Sequence, residues 1–536
     1  TPVKFEHGIQ ASDLVKWALG IAGGVLIILG AFLLWNRSLA SRVRQRTSQL
    51  ESTAESLEAE IAEKIQTVID SESLVLSEQM GHLSAERVDI MARAIEKLKD
   101  IHWRLENDIL ANIEKVQNLL DRGPKNPSPA SVSLFKKLNA VLNSIDRLEV
   151  RGRDSAGISI LFIFKEADFQ KGQGTLEQAG HLVQFNERCD PDPLVNGGIN
   201  VRPSIRANGK KQVAVAVTYK VALEIGSLGD NVDYLRRQIA NDAVFQILAT
   251  IPADFDTVLA HTRWASVGAI TEANCHPVDN NASGSKSAIC GIIHTCLNGD
   301  IDNFQRLKVE LESLDTQIHN DITTDTKIIP LKIQQYVHQG HAIDEAFRLT
   351  VNDFEGSHAI SMHTDLAPGK LFLAQRGSGQ AIFVGIADEH YMASSEVYGF
   401  VEETPYYIKL DGEKTITGKQ GRTQGQIFVL DQTGDGGLDG ISACYYDGTP
   451  LVLTERDRKY TEITTRDIDR QNFPHYFLKE ISESPASVDK TLQNRWKFKE
   501  DDPLQYTIAL DETIIPRTLQ KALTADQIKR IFFIGQ

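Results

Sequence analysis

The spacing of apolar residues changes several times along the chain, and each change predicts a different element. Trp17 to Trp35 (WALGIAGGVLIILGAFLLW) carries no charge. As a helix it would be about 28 Å long, close to the roughly 30 Å of a hydrocarbon layer. Tryptophan at both ends, with Arg37, Arg42, Arg44 and Arg46 after the run against Lys4 and Lys16 before it, predicts a single-pass membrane protein. Its amino terminus would lie outside and the bulk of the chain in the cytoplasm. Gly20 and Gly24 form a GxxxG pair through which two spans could approach, and a homodimer is expected. From Arg42 to about Arg122 there is no proline. Thr47, Ala54, Ile61 and Val68 recur every seven residues with Leu50 and Leu57 between them, which predicts a helical coiled stalk. A second pattern in Met91, Ala94, Ile95, Leu98, Ile101, Leu105, Ile109 and Ile113 is spaced by three and four, so two helices joined by a bend are expected.

RGPKNPSPAS (122–131) interrupts this pattern and marks a boundary. Leu134, Phe135, Leu138, Val141, Leu142 and Ile145 then return to helical spacing, and RLEVRGRDSAGISILFIF (147–164) turns from helix to strand. With 41% hydrophobic and 24% charged residues the composition is that of a globular protein, and 536 residues predict two to four structural units. The formal charge of −15 opposes a general nucleic-acid binder, which needs a basic face. Five cysteines, none in a CxxC pair, indicate neither a disulfide framework nor a zinc knuckle and read as reduced thiols. No phosphate-binding, dinucleotide-binding or HExxH motif is present, so no metal and no organic cofactor are expected.

Further elements follow in order: HTRWASVG (261–268), ANCHPVDN (273–280), IIHTCLNGDIDNFQRL (292–307), ITTDTKII (322–329) and LFLAQRGSGQAIFVG (371–385). Singly, each has a plain structural explanation: Asn-Gly is usually a hairpin turn and Thr-Asp a helix cap. Taken in this order, and with RLEVRGRDSAG before them, they resemble the class II glutamine amidotransferase domain of isomerising glutamine:fructose-6-phosphate aminotransferase, or glucosamine-6-phosphate synthase. FPHYFLKEISESPASVDKTL (473–492) resembles that family's connector, and IKRIFFIGQ (528–536) the opening strand of its sugar isomerase (SIS) half.

The resemblance implies an α+β fold, a four-layer αββα sandwich of the N-terminal-nucleophile type, preceded here by the membrane helix and the coiled stalk. The expected divisions are a short outer segment 1–16, the span 17–35, the stalk 36–122, a linker 123–131, the amidotransferase-like domain 132–430, a connector 431–520, and the start of a truncated isomerase module at 521–536. The implied reaction releases ammonia from L-glutamine and passes it to fructose 6-phosphate at a downstream isomerase module. By resemblance, Arg263 would pair with the glutamine α-carboxylate and Asp325 with its α-ammonium. Asn298 and the Gly299 backbone N–H would stabilise the oxyanion. Trp264 would lie near the ammonia passage, and His276 would support the site.

The family's nucleophile is an N-terminal cysteine opening a CGIxG strand, and this sequence does not supply it. Cys290-Gly-Ile-Ile repeats the spelling but is internal, without a free amine, and Thr1 would sit across the membrane from the pocket. A CGI segment upstream of Thr1, or a domain that only binds glutamine or scaffolds a membrane sensor-like protein, both stay open. The family's HTRWATHG reads HTRWASVG here, so Val267 replaces a histidine. Residues 166–213 have no counterpart and read as loops or an added hairpin at a sheet edge. Asp431, Asp435, Gly436 and Asp439 are spaced as in a calcium loop, but Ser442 stands where the bidentate Glu belongs, and a glycine-rich turn is expected instead.

Overall fold

The computed structural model describes residues 47–530 and 532, apart from 80–84, 121–126, 191–192, 208–209, 223–228, 266, 283–289, 420, 435, 471–472, 493–495, 500–501 and 509–514. The described residues fall into two compact units, one within 1–63 and 103–465 and the other within 64–102 and 466–536.

The first unit is a sandwich of helix, sheet, sheet and helix layers. Helix α1 (Pro129–Leu148) starts where Ser128 accepts the Ser131 N–H at 3.1 Å and Pro129 takes the first turn, so the end of the Pro-rich linker is itself the cap. Strand β1 (Ser155–Lys165) follows. Helices α2 (Glu166–Gln178) and α3 (Leu182–Glu187) then lead to the hairpin β2 (Gly198–Ala207) and β3 (Lys210–Val221). Helices α4 (Asp230–Asn241) and α5 (Ala243–Leu248) precede β4 (Ala253–Arg263). These strands form an antiparallel sheet in the order β2-β3-β1-β4, so the 166–213 segment adds two helices and the edge hairpin.

The second sheet begins with β5 (Ile293–Gly299). Helices α6 (Phe304–Ser313), α7 (Ile328–His338) and α8 (Ile343–Asp353) separate it from β6 (His358–Thr364) and β7 (Lys370–Arg376). A small sheet contains β8 (Phe383–Ile386), β9 (Tyr391–Ser394) and β10 (Tyr406–Lys409), and the chain returns through β11 (Gln426–Asp431) and β12 (Ile441–Tyr445). The second sheet is antiparallel, in the order β12-β11-β7-β6-β5.

The period of two along each strand sorts the layers. Ile158, Ile160, Phe162 and Phe164 of β1 pack with Phe135, Leu138 and Leu142 of α1 and with Leu235 and Phe245. Leu161 and Ile163, on the other face, meet Ala214, Ala216 and Ile292 between the sheets. Beyond the second sheet, Ile360, Met362 and Phe372 pack on Leu307, Ile329, Ile333 and Phe347 of the outer helices. A buried polar seam joins the two inner faces: Ser159 Oγ lies 2.8 Å from His294 Nδ1 and 3.2 Å from His363 Nε2.

In the second unit, Arg466 forms ion pairs with Glu96 at 2.8 Å and Asp100 at 2.9 Å, and Lys479 donates to the Asp467 carbonyl at 3.0 Å. A helix (Tyr476–Leu492), a strand pair (Trp496–Lys499 with Asp502–Ile508) and a helix (Arg517–Thr524) complete it.

The α+β class is observed, but the membrane-protein placement is corrected. Among the described residues no helix is long and apolar enough to cross a membrane. The run 17–35 lies outside the described residues. The placement rested on apolarity, which a buried helix also has and which does not reveal what covers it. Thr47–Gln79 is a single helix, and coiling about a second helix is not seen among the described residues. The 531–536 part of the isomerase-like stretch falls, except for Phe532, outside the described residues, as does Asp435 of the calcium-like loop. Asp431 Oδ1 in that loop accepts the Thr433 N–H at 2.8 Å and its hydroxyl at 2.6 Å, as in an Asx turn.

Candidate active site

A cleft of about 1150 Å³ is lined by residues of both sheets. Its wall on the first sheet is β4 from Asp256 to Arg263 with Trp264 after it, and among the described residues β4 pairs only with β1, so its other edge faces the cleft. The second sheet contributes Cys296 to Gly299 of β5 and Ala359 to Ser361 of β6, and α1 closes a third side. Arg263, Trp264, His276, Asn298, Gly299 and Asp325 all line this one space, although they are spread over more than sixty residues of sequence.

Each side chain is held by its own element. Arg263 ends β4 and is 4% exposed; it donates to the carbonyls of Val267 and, at 3.2 Å, Ala269. Its planar fork is therefore occupied by the loop that follows it. Asp325 opens the turn before α7, where its Oδ2 accepts the Ile301 N–H at 3.0 Å. Asn298 and Gly299 end β5. Gly299 has φ +87°, and a Cβ there would lie 2.2 Å from the Ser357 carbonyl oxygen, so only glycine fits. His276 Nε2 lies 2.8 Å from Thr326 Oγ1. Trp264 is 75% exposed and lines the cleft.

Two residues that sequence reasoning passed over complete the geometry. Asn274 is fully buried: its Oδ1 accepts the N–H groups of Thr323 and Thr324, and its Nδ2 donates to Thr271 Oγ1 at 2.8 Å and the Asp321 carbonyl at 2.9 Å. It thereby ties down the turn that presents Asp325. His261 Nε2 lies 2.8 Å from Asn298 Oδ1. Both sit inside quoted motifs, and motif membership was the only available signal.

Burial dominates the electrostatics. It pushes the Asp325 carboxyl up, opposed by the Ile301 N–H, and pushes the Arg263 guanidinium down, opposed by Cys275, Asp325 and Asp154. Burial also pushes His261 down to about 4 and His276 well below its ordinary value, so both rings are neutral near pH 7. Cys296 lines the cleft, but burial pushes its thiol well up. Cys290 is pushed up to about 11 by burial and is not among the residues that line the cleft. Neither thiol has the lowered pKa of an activated nucleophile. The cleft can thus offer a cation, a carboxylate and amide donors to a small zwitterion.

No family model matches the chain. In sequence the chain is 28% identical over 272 residues to the glutamine–fructose-6-phosphate aminotransferase [isomerizing] of Geobacillus kaustophilus, covering 50% of this chain and 38% of that protein. It is 30% identical over 236 residues to the protein of the same name from Bacillus subtilis, covering 44% and 34%. The match to that of Sulfolobus acidocaldarius is 29% over 238 residues, covering 44% and 35%. The resemblance seen in the motifs therefore holds across about half of the chain, which spans little more than a third of these relatives. Among solved structures, the glutamine phosphoribosylpyrophosphate amidotransferase from B. subtilis aligns with 54% of this chain and 49% of its own at 16% identity, with a TM-score of 0.29, too low to argue from.

Proposed function

We propose that the cleft binds L-glutamine and that this chain carries the glutaminase-type part of an amidotransferase of the glucosamine-6-phosphate synthase type, on an N-terminal-nucleophile-type sandwich. The convergence of Arg263, Asp325, Asn298 and Gly299 on one cleft carries this reading. Arg263 exchanges its loop carbonyls for the α-carboxylate, a charged and geometrically better partner. Asp325 takes the α-ammonium. The Asn298 amide N–H and the Gly299 backbone N–H meet the side-chain carbonyl oxygen, where negative charge develops as a nucleophile adds to the amide carbon. Collapse of that adduct expels ammonia. In the full scheme a downstream isomerase module, within a homodimer, uses it to aminate fructose 6-phosphate. His276 supports the Asp325 turn through Thr326, and Trp264 lines the cleft.

The nucleophile is the open component. An added strand, such as the Cys-Gly-Ile segment implied by the resemblance, could pair along the edge of β4 that has no strand partner among the described residues. The raised thiols of Cys290 and Cys296 favour a second reading, a domain that binds glutamine without hydrolysing it. Incubating the full chain with glutamine while measuring glutamate release and bound glutamine separates the two. Release supports the enzyme; saturable binding without release supports the binding domain. Absence of both refutes each.

A further inference from the structure

Resting on the glutamine reading, we infer that His261 is a positioning residue: held as the Nε2–H tautomer, it fixes Asn298 with its amide N–H groups toward the cleft, so that the site selects a ligand side chain ending in a carbonyl oxygen. Asn298 has two ends of opposite hydrogen-bonding sense, and whichever end His261 engages, the other is presented to the ligand. His261 Nε2 meets Asn298 Oδ1 at 2.8 Å, which assigns the proton to Nε2 and leaves Asn298 Nδ2 for the cleft that both residues line. In the opposite tautomer Nε2 would accept a hydrogen bond from the Asn298 amide N–H and turn the amide oxygen outward, favouring an ammonium or amide N–H instead.

The surroundings hold this arrangement. Residues 294, 296 and 298 alternate onto the face of β5 turned to the first sheet, whereas Ile293 and Leu297 pack into the outer helical layer, so the strand itself brings Asn298 under β4. The His276 ring lies 4.5 Å from that of His261 at 48°, limiting its rotation. His261 Nδ1 makes no hydrogen bond, whereas Nε2 is engaged by Asn298. The Leu297 carbonyl lies near both rings without forming a hydrogen bond to either Nδ1.

Two measurements on the full chain test this. With ¹⁵N-labelled histidine, the His261 signal, assigned by its loss in His261→Gln, should show the Nε2–H tautomer, unchanged from pH 5 to 8; an Nδ1–H tautomer overturns the inference whether or not any ligand binds. In parallel, affinities are compared for glutamine and for norvaline, which keeps the zwitterion but has no side-chain carbonyl. His261→Phe should weaken glutamine by roughly five- to tenfold and leave norvaline unchanged, and His261→Gln should restore the preference through its amide donor. Equal loss for both ligands, or for neither, overturns the positioning role. Failure of the wild type to bind either ligand refutes the glutamine reading itself, while the tautomer still decides the inference.

Discussion

The Asn274 side chain holds the backbone N–H of Thr324 at 3.0 Å, one residue before Asp325, while the same oxygen holds that of Thr323 at 2.7 Å. A buried amide with every valence used thus decides where the carboxylate points, which a carboxylate on a surface turn could not do for itself.

Replacing Asn274 with Ala strands two backbone donors and the groups its Nδ2 served. The expected loss is about 2–4 kcal/mol of stability, read by chemical denaturation, with weaker glutamine binding under native conditions. Asn274→Asp keeps the acceptor but not the donors and should fall between. A wild-type denaturation midpoint for Asn274→Ala would contradict the role.

Gly299→Ala forces an L side chain into positive φ and into the Ser357 carbonyl. A loss of about 2–4 kcal/mol is expected. Gly174→Ala, in the helix Glu166–Gln178 with nothing within 4 Å, serves as the control and should be neutral or stabilising by up to about 1 kcal/mol. Thermal melts of the two variants should therefore move apart.

Lys327 and Asp279 form a 2.6 Å ion pair nearly out of solvent. Lys327→Met leaves the Asp279 charge buried without it, and a loss of roughly 3–5 kcal/mol is expected. Lys327→Met with Asp279→Leu should recover part of this loss, because the double change removes the uncompensated charge. A double variant no more stable than the single would contradict the pairing argument.

Burial holds His261 at about 4, His294 and His358 at about 3, and His276 and His363 lower than usual. The unfolded chain binds protons near pH 6.5 that the folded chain refuses, so stability rises with pH in that window and falls as pH drops from about 6.5 toward 4. His261, His294 and His358 each account for a loss on the order of a few kcal/mol at the acid end, and His276 and His363 act in the same direction. His294→Gln should make the fall in melting temperature between pH 6.5 and 4 shallower; an unchanged slope would show that His294 does not take part.

The central strand of the fold was plain in the sequence. SAGISILFIF is a continuous apolar run because β1 is buried on both faces, between helices and a second sheet. The gathering of Arg263, Asp325 and Asn298 was legible only through ordered motifs, since no local period links strand ends so far apart. His261 and Asn274 escaped notice because their partners at 298, 321, 323 and 324 are remote, and a lone polar residue does not announce a remote hydrogen bond. Trp264, expected near an ammonia passage, follows immediately on the end of β4 and is largely exposed. The membrane placement failed for the complementary reason: hydropathy measures what a run avoids, not what it packs against.

The most direct measurement is a calorimetric titration of L-glutamine into the full chain, the Arg263→Ala variant and the Cys290→Ala variant. Saturable one-site binding is predicted for the wild type and for Cys290→Ala, with affinity lowered about 100-fold or more in Arg263→Ala, where the carboxylate loses its guanidinium partner. Binding of equal strength in wild type and Arg263→Ala, or no binding to the wild type, would contradict a glutamine site in this cleft.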